Sequence, residues 1–305
     1  MSKVRTALYL LKTPGKMVLP LSEFGLFNWM SDEAYLKLAY KGMYGRELNL
    51  NSPQLFTEKI QWLKLHDRKE RYIRLVDKVQ VKEYVKKSIG ESIIVPTLGI
   101  WDSYEDINFE ELPEQFVLKC NHDSGSVIVC KNKSEFDAQS ARDRLNKGLN
   151  KDPFFYGREW PYKFVERKII AEEFLADNNT SSNDLKDYKM YCFNGQPIYC
   201  QVISDRSTLE KIDFYDMDWR HQPFVGLTPG VKNSDKLIPR PRNFDRMKSY
   251  SSVLSNDTFF CRVDFYEVNG ELFFGEITFY PKAGFGVFTP DEWDYKLGQM
   301  IHLPI

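Results

Sequence analysis

Arg262-Val263-Asp264, the turn Asn269-Gly270 and the run Phe274-Gly275-Glu276-Ile277-Thr278 decide how this chain is read. Two strand-like runs flank a tight turn. Each carries a carboxylate among apolar residues: Phe259, Phe260, Val263 and Phe265 on one side, Leu272, Phe273, Phe274, Ile277 and Phe279 on the other. A carboxylate beside a core needs an ion or a donor to compensate it, and carboxylate oxygens suit Mg2+ rather than Zn2+. A two-residue loop would put Val263 opposite Glu276 and turn Asp264 to the other face. A three-residue loop, Val268-Asn269-Gly270, with Gly270 left-handed in a bulge, pairs Arg262 with Glu276 and lays Asp264 diagonally beside Glu276. A cation shared by Asp264 and Glu276 requires the three-residue form. An ordinary hairpin with its acids facing water satisfies the same residues.

At 305 residues the chain can bury about three quarters of its unfolded surface, enough for two or three subdomains around one cleft. A net charge of -1, with both signs interspersed, leaves no nucleic-acid footprint. The five cysteines (Cys120, Cys130, Cys192, Cys200, Cys261) lack CxxC spacing and read as buried reduced thiols of a cytoplasmic protein. Cys192 and Cys200 flank the turn Asn194-Gly195, so a pairing across a hairpin stays open. The apolar run from Ala7 to Leu11 is closed by Lys12, too short for a signal core or a membrane span, and nothing later approaches a span. Peripheral membrane association is left open.

Helical spacing marks Asp32 to Tyr40, Phe56 to Leu65, and a longer zone through Tyr72, Val79 and Val85 to a stop at Gly90. Short strands follow at Ile93–Val95, Phe116–Cys120, Val127–Cys130, Lys168–Glu172, Tyr188–Phe193 and Ile198–Val202. Ser140 to Leu149 reads as helix, Asp177 to Asp184 as a flexible connection, and proline-rich Pro223 to Asn243 as an irregular loop. The order predicts an α+β fold, without regular βαβ alternation.

Two lysines stand out. Asp77 with Gln80 has capping-box spacing, which places Lys78 in a first helical turn, where the dipole disfavours a cation unless it serves an anion. Lys119 ends a buried-looking strand and precedes the small polar loop Asn121-His122-Asp123-Ser124-Gly125-Ser126, whose amides and hydroxyls could cover phosphates. A surface lysine and a plain hairpin turn fit these two patterns as well.

Taken together, Asp77-Lys78, Lys119 with its Ser-Gly loop, Ile169-Ile170-Ala171-Glu172-Glu173-Phe174-Leu175, Arg262-Val263-Asp264 and Glu276-Ile277-Thr278 resemble, in order, the ATP-grasp enzymes. Phe56-Thr57-Glu58-Lys59-Ile60-Gln61-Trp62, Asp187-Tyr188-Lys189 and Cys192-Phe193-Asn194-Gly195 are similar to the TupA-like branch, named for teichuronopeptide biosynthesis. The resemblance covers residue 46 to the end. It implies an α+β ATP-grasp fold, two subdomains clasping ATP over residues 77–305 with a lid at about 116–172, behind a helical region at 1–76.

The resemblance also assigns roles. Lys78 and Lys119 would hold ATP phosphate oxygens, the backbone around Glu172, Glu173, Phe174 and Leu175 would read the adenine edge, and Ser124, Gly125 and Ser126 would close over the triphosphate. Asp264 and Glu276 would hold Mg2+, and Arg262 would steady an acyl phosphate and its tetrahedral successor. Thr278 stands where these enzymes often have asparagine, and its hydroxyl could still reach the metal or a phosphate. Two further cations are candidates: Lys189 for ATP or acceptor, and Arg206 for a substrate carboxylate, each against a plain surface ion pair. The activity implied is ATP-dependent ligation of a carboxylate, such as a hexuronic acid, to an amine. A sugar kinase on the same fold and a non-catalytic polysaccharide-assembly partner are the alternatives. Gly284-Phe285-Gly286 lacks the third glycine and following helix of a Rossmann turn, and no protein-kinase signature is present.

Overall fold

In a computed structural model, residues 14–176, 185–204 and 209–305 are described. The N-terminal part is helical: α1 (Val18–Ser22), α2 (Asp32–Tyr44), α3 (Phe56–His66), α4 (Arg71–Val76) and α5 (Gln80–Ile89). α2 shows why. Ser31 accepts a hydrogen bond from the Ala34 amide, Asp32 and Glu33 complement the dipole, and Gly45 closes the helix in the left-handed region (φ 71°). α3 is buried from Phe56 through Lys64, and its Phe56, Ile60, Trp62 and Leu63 join the largest apolar cluster of the protein.

A four-stranded sheet comes next, in the order β1-β4-β2-β3, made by β1 (Thr97–Trp101), β2 (Phe116–Cys120), β3 (Ile128–Cys130) and β4 (Ile169–Glu173). Between β3 and β4 lie α6 (Ala138–Asn150) and α7 (Pro153–Gly157). Phe116, Leu118 and Cys120 alternate along β2 and bury with Leu145 of α6, as a one-face strand requires. Lys119 therefore points to the opposite face.

The six-stranded antiparallel sheet runs β11-β10-β5-β6-β7-β8, from β5 (Asp187–Phe193), β6 (Gln196–Ser204), β7 (Lys211–Asp216), β8 (His221–Gln222), β10 (Phe260–Val268) and β11 (Glu271–Thr278). β9 (Val225–Gly226) pairs separately with β12 (Phe288–Thr289). α8 (Phe244–Leu254) packs on β5 and β6, and α9 (Glu292–Gln299) packs on α3.

Some expectations change. Ile93–Val95 is no strand, although the Phe274 amide donates to the Ile93 carbonyl (2.7 Å) and ties this segment to β11. β1 and β7 were not anticipated. Asp213 breaks the apolar pattern of β7, yet it is buried because Ser234 (2.6 Å) and His221 (3.1 Å) engage its carboxylate. All five cysteines are free and buried; Cys192 faces Cys261 and Pro197, whereas Cys200 faces Met190, so those two do not pair across the hairpin. The expected connection at Asp177–Asp184 lies outside the described residues.

The hairpin corrects the predicted register. Val268 pairs with Glu271, leaving a two-residue loop in which Asn269 (φ 54°) and Gly270 (φ 84°) are both left-handed, as a type I′ turn demands. The extra residue sits instead at Gly275. Phe265 pairs with Phe274 but Asp264 pairs with Glu276, and Arg262 pairs with Thr278 rather than Glu276. This bulge restores the shared face that a two-residue loop alone would destroy. A Cβ on Gly275 would lie 3.2 Å from the Asp264 carbonyl oxygen, so glycine lets the bulge close there.

Gly270 was expected to be left-handed, and it is. A β-branched side chain is strained at positive φ, and one at Gly270 would also come within 3.3 Å of the Arg242 guanidinium. Gly270→Val is expected to lower stability by more than about 1 kcal/mol in chemical denaturation; an unchanged midpoint would refute the strain.

Candidate nucleotide and metal site

β10 and its neighbours place the charged groups. Arg262 and Asp264 are two apart on one face of β10, so the guanidinium folds back along the strand. Its Nε and Nη2 donate to the two Asp264 oxygens at 2.6 and 2.7 Å. Nη2 also donates to Glu276 Oε1 and Thr278 Oγ1, both at 3.2 Å, across the ladder to β11. The Thr278 hydroxyl in turn donates to Glu276 Oε1 at 3.2 Å. On the other side Lys189, paired with Asp264 in register, donates to Asp264 Oδ2 at 2.5 Å and lies 3.7 Å from Asp187. Burial disfavours the Arg262 charge, but the adjoining Asp264 carboxylate outweighs it and keeps the guanidinium protonated.

Lys78 reaches this group from the helical side. Its Nζ donates to the Asp123 carbonyl (2.6 Å) and stands 3.8 Å from Glu276 Oε2. It thereby links the polar loop after β2 to the end of β11. The expected capping box takes another form. Asp77 is extended (φ -77°, ψ 114°) and α5 begins at Gln80, so Lys78 precedes the helix instead of occupying its first turn. Asp77 Oδ1 accepts from the Val79 amide and Asn121 Nδ2, while Gln80 Nε2 donates to Oδ2 rather than to the backbone. The Lys78 amide is fixed by the Asn121 carbonyl (3.1 Å).

The loop itself is preorganised. Asp123 Oδ1 accepts from the Ser126 hydroxyl, which also accepts from the Cys120 amide. Ser126 is thus buried and shapes the loop, while Ser124 and Gly125 are exposed and available to a ligand. Two Arg144 nitrogens donate to the Gly125 carbonyl, at 3.1 and 3.0 Å. His122 is buried, and burial lowers its pKa below the ordinary imidazole value. α6 passes close beneath: a Cβ on Gly148 would come within 2.7 Å of Cys120 Sγ.

Lys119 stands apart from the carboxylate cluster. Its Nζ is bonded to Glu172 Oε2 on the face of the small sheet opposite the Leu118 side (2.5 Å), and Lys82 of α5 holds Oε1 at 2.7 Å. Sequence reasoning missed Lys82, although it lies in the first turn of α5, four residues after Lys78. At the end of β4 Glu173 is exposed, beyond it Phe174 and Leu175 are half-buried, and Asn269 of the hairpin turn donates to the next carbonyl, Ala176 (2.8 Å). Arg206 lies outside the described residues. Glu159 was also missed; burial pushes its carboxyl up, and the Glu276 charge adds to that.

Two carboxylates and a hydroxyl, all oxygen donors on one face of a hairpin, fit Mg2+, which binds through one or two carboxylates and retains waters or phosphate oxygens. Among the described residues no group of three or more His, Cys, Asp or Glu forms a metal cage, so other ligands would come from solvent or substrate. No described helix is long and apolar enough to cross a membrane.

The small sheet, the larger antiparallel sheet and the charged residues at their junction define an ATP-grasp fold. A family model described as TupA-like ATPgrasp matches residues 58–302, and the chain belongs to that family. Among solved structures, D-alanine–D-alanine ligase from Bacillus anthracis, complexed with ATP, is 17% identical (TM-score 0.43), covering 75% of this chain and 63% of that one. N5-carboxyaminoimidazole synthetase from Staphylococcus aureus is 15% identical (TM-score 0.40), covering 68% of this chain and 44% of that one. Among curated proteins, the inner kinetochore subunit CHL4 of Saccharomyces cerevisiae (strain ATCC 204508 / S288c) is 25% identical over 167 residues, 49% of this chain. The match spans about a third of that relative's length (34%).

Proposed function

We propose that this chain is an ATP-dependent carboxylate–amine ligase, joining a hexuronic acid, free or within a polysaccharide unit, to an amino acid or small amine during surface-polysaccharide synthesis. The observation that carries the reading is the convergence of Lys78, Lys189 and Arg262 on Asp264 and Glu276, with Lys78 also bonded to the loop after β2. Such a group has little covalent chemistry to offer but strong positioned charge, which is what phosphoryl transfer needs.

In this reading Lys78 and Lys119 bind the phosphates, the backbone from Glu172 to Leu175 meets the adenine, and Ser124 and Gly125 lie over the triphosphate. Asp264, Glu276 and Thr278 would hold Mg2+, which when bound neutralises phosphate charge. The substrate carboxylate attacks the γ-phosphorus and ADP leaves, giving an acyl phosphate. The amine then attacks the acyl carbon, phosphate departs, and the amine proton passes to solvent. Arg262, locked between the two acids, carries the fixed positive charge that faces the tetrahedral intermediate. The hexuronic acid and the polysaccharide setting rest on the family's name for teichuronopeptide biosynthesis; cytoplasmic placement fits the free thiols.

Mass spectrometry of products from MgATP with panels of uronic acids and amines tests the proposal. The expected result is an amide whose formation, with ADP and phosphate release, requires both partners. A stable phosphorylated sugar formed without amine would replace the ligase by a kinase, and no nucleotide turnover with any pair would favour a non-catalytic partner.

A further inference from the structure

The two lysines on Glu172 are not equivalent. Lys82 Nζ has three N–H donors and three acceptors in place: Glu172 Oε1 (2.7 Å), the Val95 carbonyl (2.8 Å) and Thr97 Oγ1 (2.7 Å). Thr97 is the register partner of Glu172 across β1 and β4, so this ammonium is nailed to the sheet it touches. Lys119, diagonal to Glu172 on β2, has Glu172 as its one side-chain bonding partner among the described residues, leaving donors over for a ligand. Glu172 is nearly enclosed, 7% exposed.

A carboxylate so enclosed cannot lose its counter-charge without penalty. If Lys119 leaves Glu172 to meet a phosphate, something must continue to compensate the acid. We propose that Lys82 is a positioning residue, the resident counter-ion of Glu172, whose fixed charge lets Lys119 transfer from that carboxylate to the nucleotide phosphates. This rests on the phosphate role given to Lys119 above.

The charges support the assignment. Burial would raise the Glu172 pKa, but Lys119 and then Lys82 outweigh it and hold the carboxyl below its ordinary value, so the acid stays ionised and in need of a cation. Burial lowers the Lys82 pKa, with Glu172 opposing that shift. With Lys82 removed, Lys119 becomes the only cation on Glu172 and is retained there. Removing the Glu172 charge as well should release it.

The test is the dissociation constant of MgATP, by calorimetry on the full chain. K82M is expected to weaken binding at least about ten-fold, K82R to stay near wild type, and K82M/E172Q to return to within about three-fold of E172Q. A merely structural lysine would not be suppressed by neutralising its partner. K82M binding like wild type, or K82M/E172Q binding ten-fold more weakly than E172Q, overturns the proposal. Should K82M fail to fold, the comparison of E172Q with K82M/E172Q, in neither of which an ionised Glu172 is left short of a cation, decides it alone. K119A separates the two readings: unchanged ATP affinity in K119A removes the phosphate role itself. Loss in K119A with no loss in K82M removes only the role of Lys82.

Discussion

Glu276→Gln is expected to reduce the proposed ligation by about 1000-fold or more while leaving the fold intact, with little recovery in excess Mg2+. The substitution keeps the volume and one acceptor oxygen but removes a charge that three neighbours address: Lys78 at 3.8 Å, Arg262 at 3.2 Å and Thr278 at 3.2 Å. Arg262 keeps both Asp264 oxygens and Lys78 keeps the Asp123 carbonyl, so neither cation is left unpaired and circular dichroism should show a native fold. Burial would raise the Glu276 pKa, but Lys78, Arg262, Lys189 and Lys119 together bring it down to about 2. A depressed carboxyl contributes stability above its ordinary value and loses it only as pH falls toward about 2. The acid limb of the wild-type rate profile is therefore expected to belong to another group. Full activity of Glu276→Gln would refute the metal role proposed for it.

Lys119→Ala is the second large effect. A ligand at 100 times its dissociation constant stabilises the native state by about 2.7 kcal/mol, so MgATP should raise the unfolding temperature of the wild type. The variant should show a much smaller shift and turn over about 100-fold more slowly, as for loss of one preorganised donor. Its own fold should persist, because Lys82 still holds Glu172. An unchanged thermal shift together with an unchanged rate would exclude Lys119 from the phosphates.

The hairpin shows how far residues alone can be read. The pair of carboxylates, the arginine and the left-handed glycine were all legible, because residue type and spacing carry them. The register was not. The requirement of one shared face is met by an odd loop or by a bulge, and loop length bears only on the first. Gly275 was the available signal, since a glycine inside an apolar strand often marks a bulge. Asp77 was read as a cap, and it is one in chemistry, but its side chain bonds a turn that comes before the helix. Lys82 escaped notice because a helical lysine among Lys86 and Lys87 looks like a solvated face; only the fold reveals that β1 and β4 come up against it. Glu172 was read for its backbone, and nothing in the sequence indicates that its side chain holds two lysines at once.

The burial of α3 carries a consequence for how the protein is made. Lys59 donates to the Ile301 carbonyl (2.9 Å), and both the Thr57 amide (2.9 Å) and its hydroxyl (2.8 Å) donate to Asp294 of α9. Phe56 packs edge-on against Phe193, Phe260 and Phe288. Every one of these partners is synthesised long after α3 leaves the ribosome. During elongation that helix carries an apolar surface with nothing to cover it, and closing such distant contacts is slow. Nascent chains halted before residue 292 should therefore remain chaperone-bound or aggregate, and release should coincide with emergence of α9.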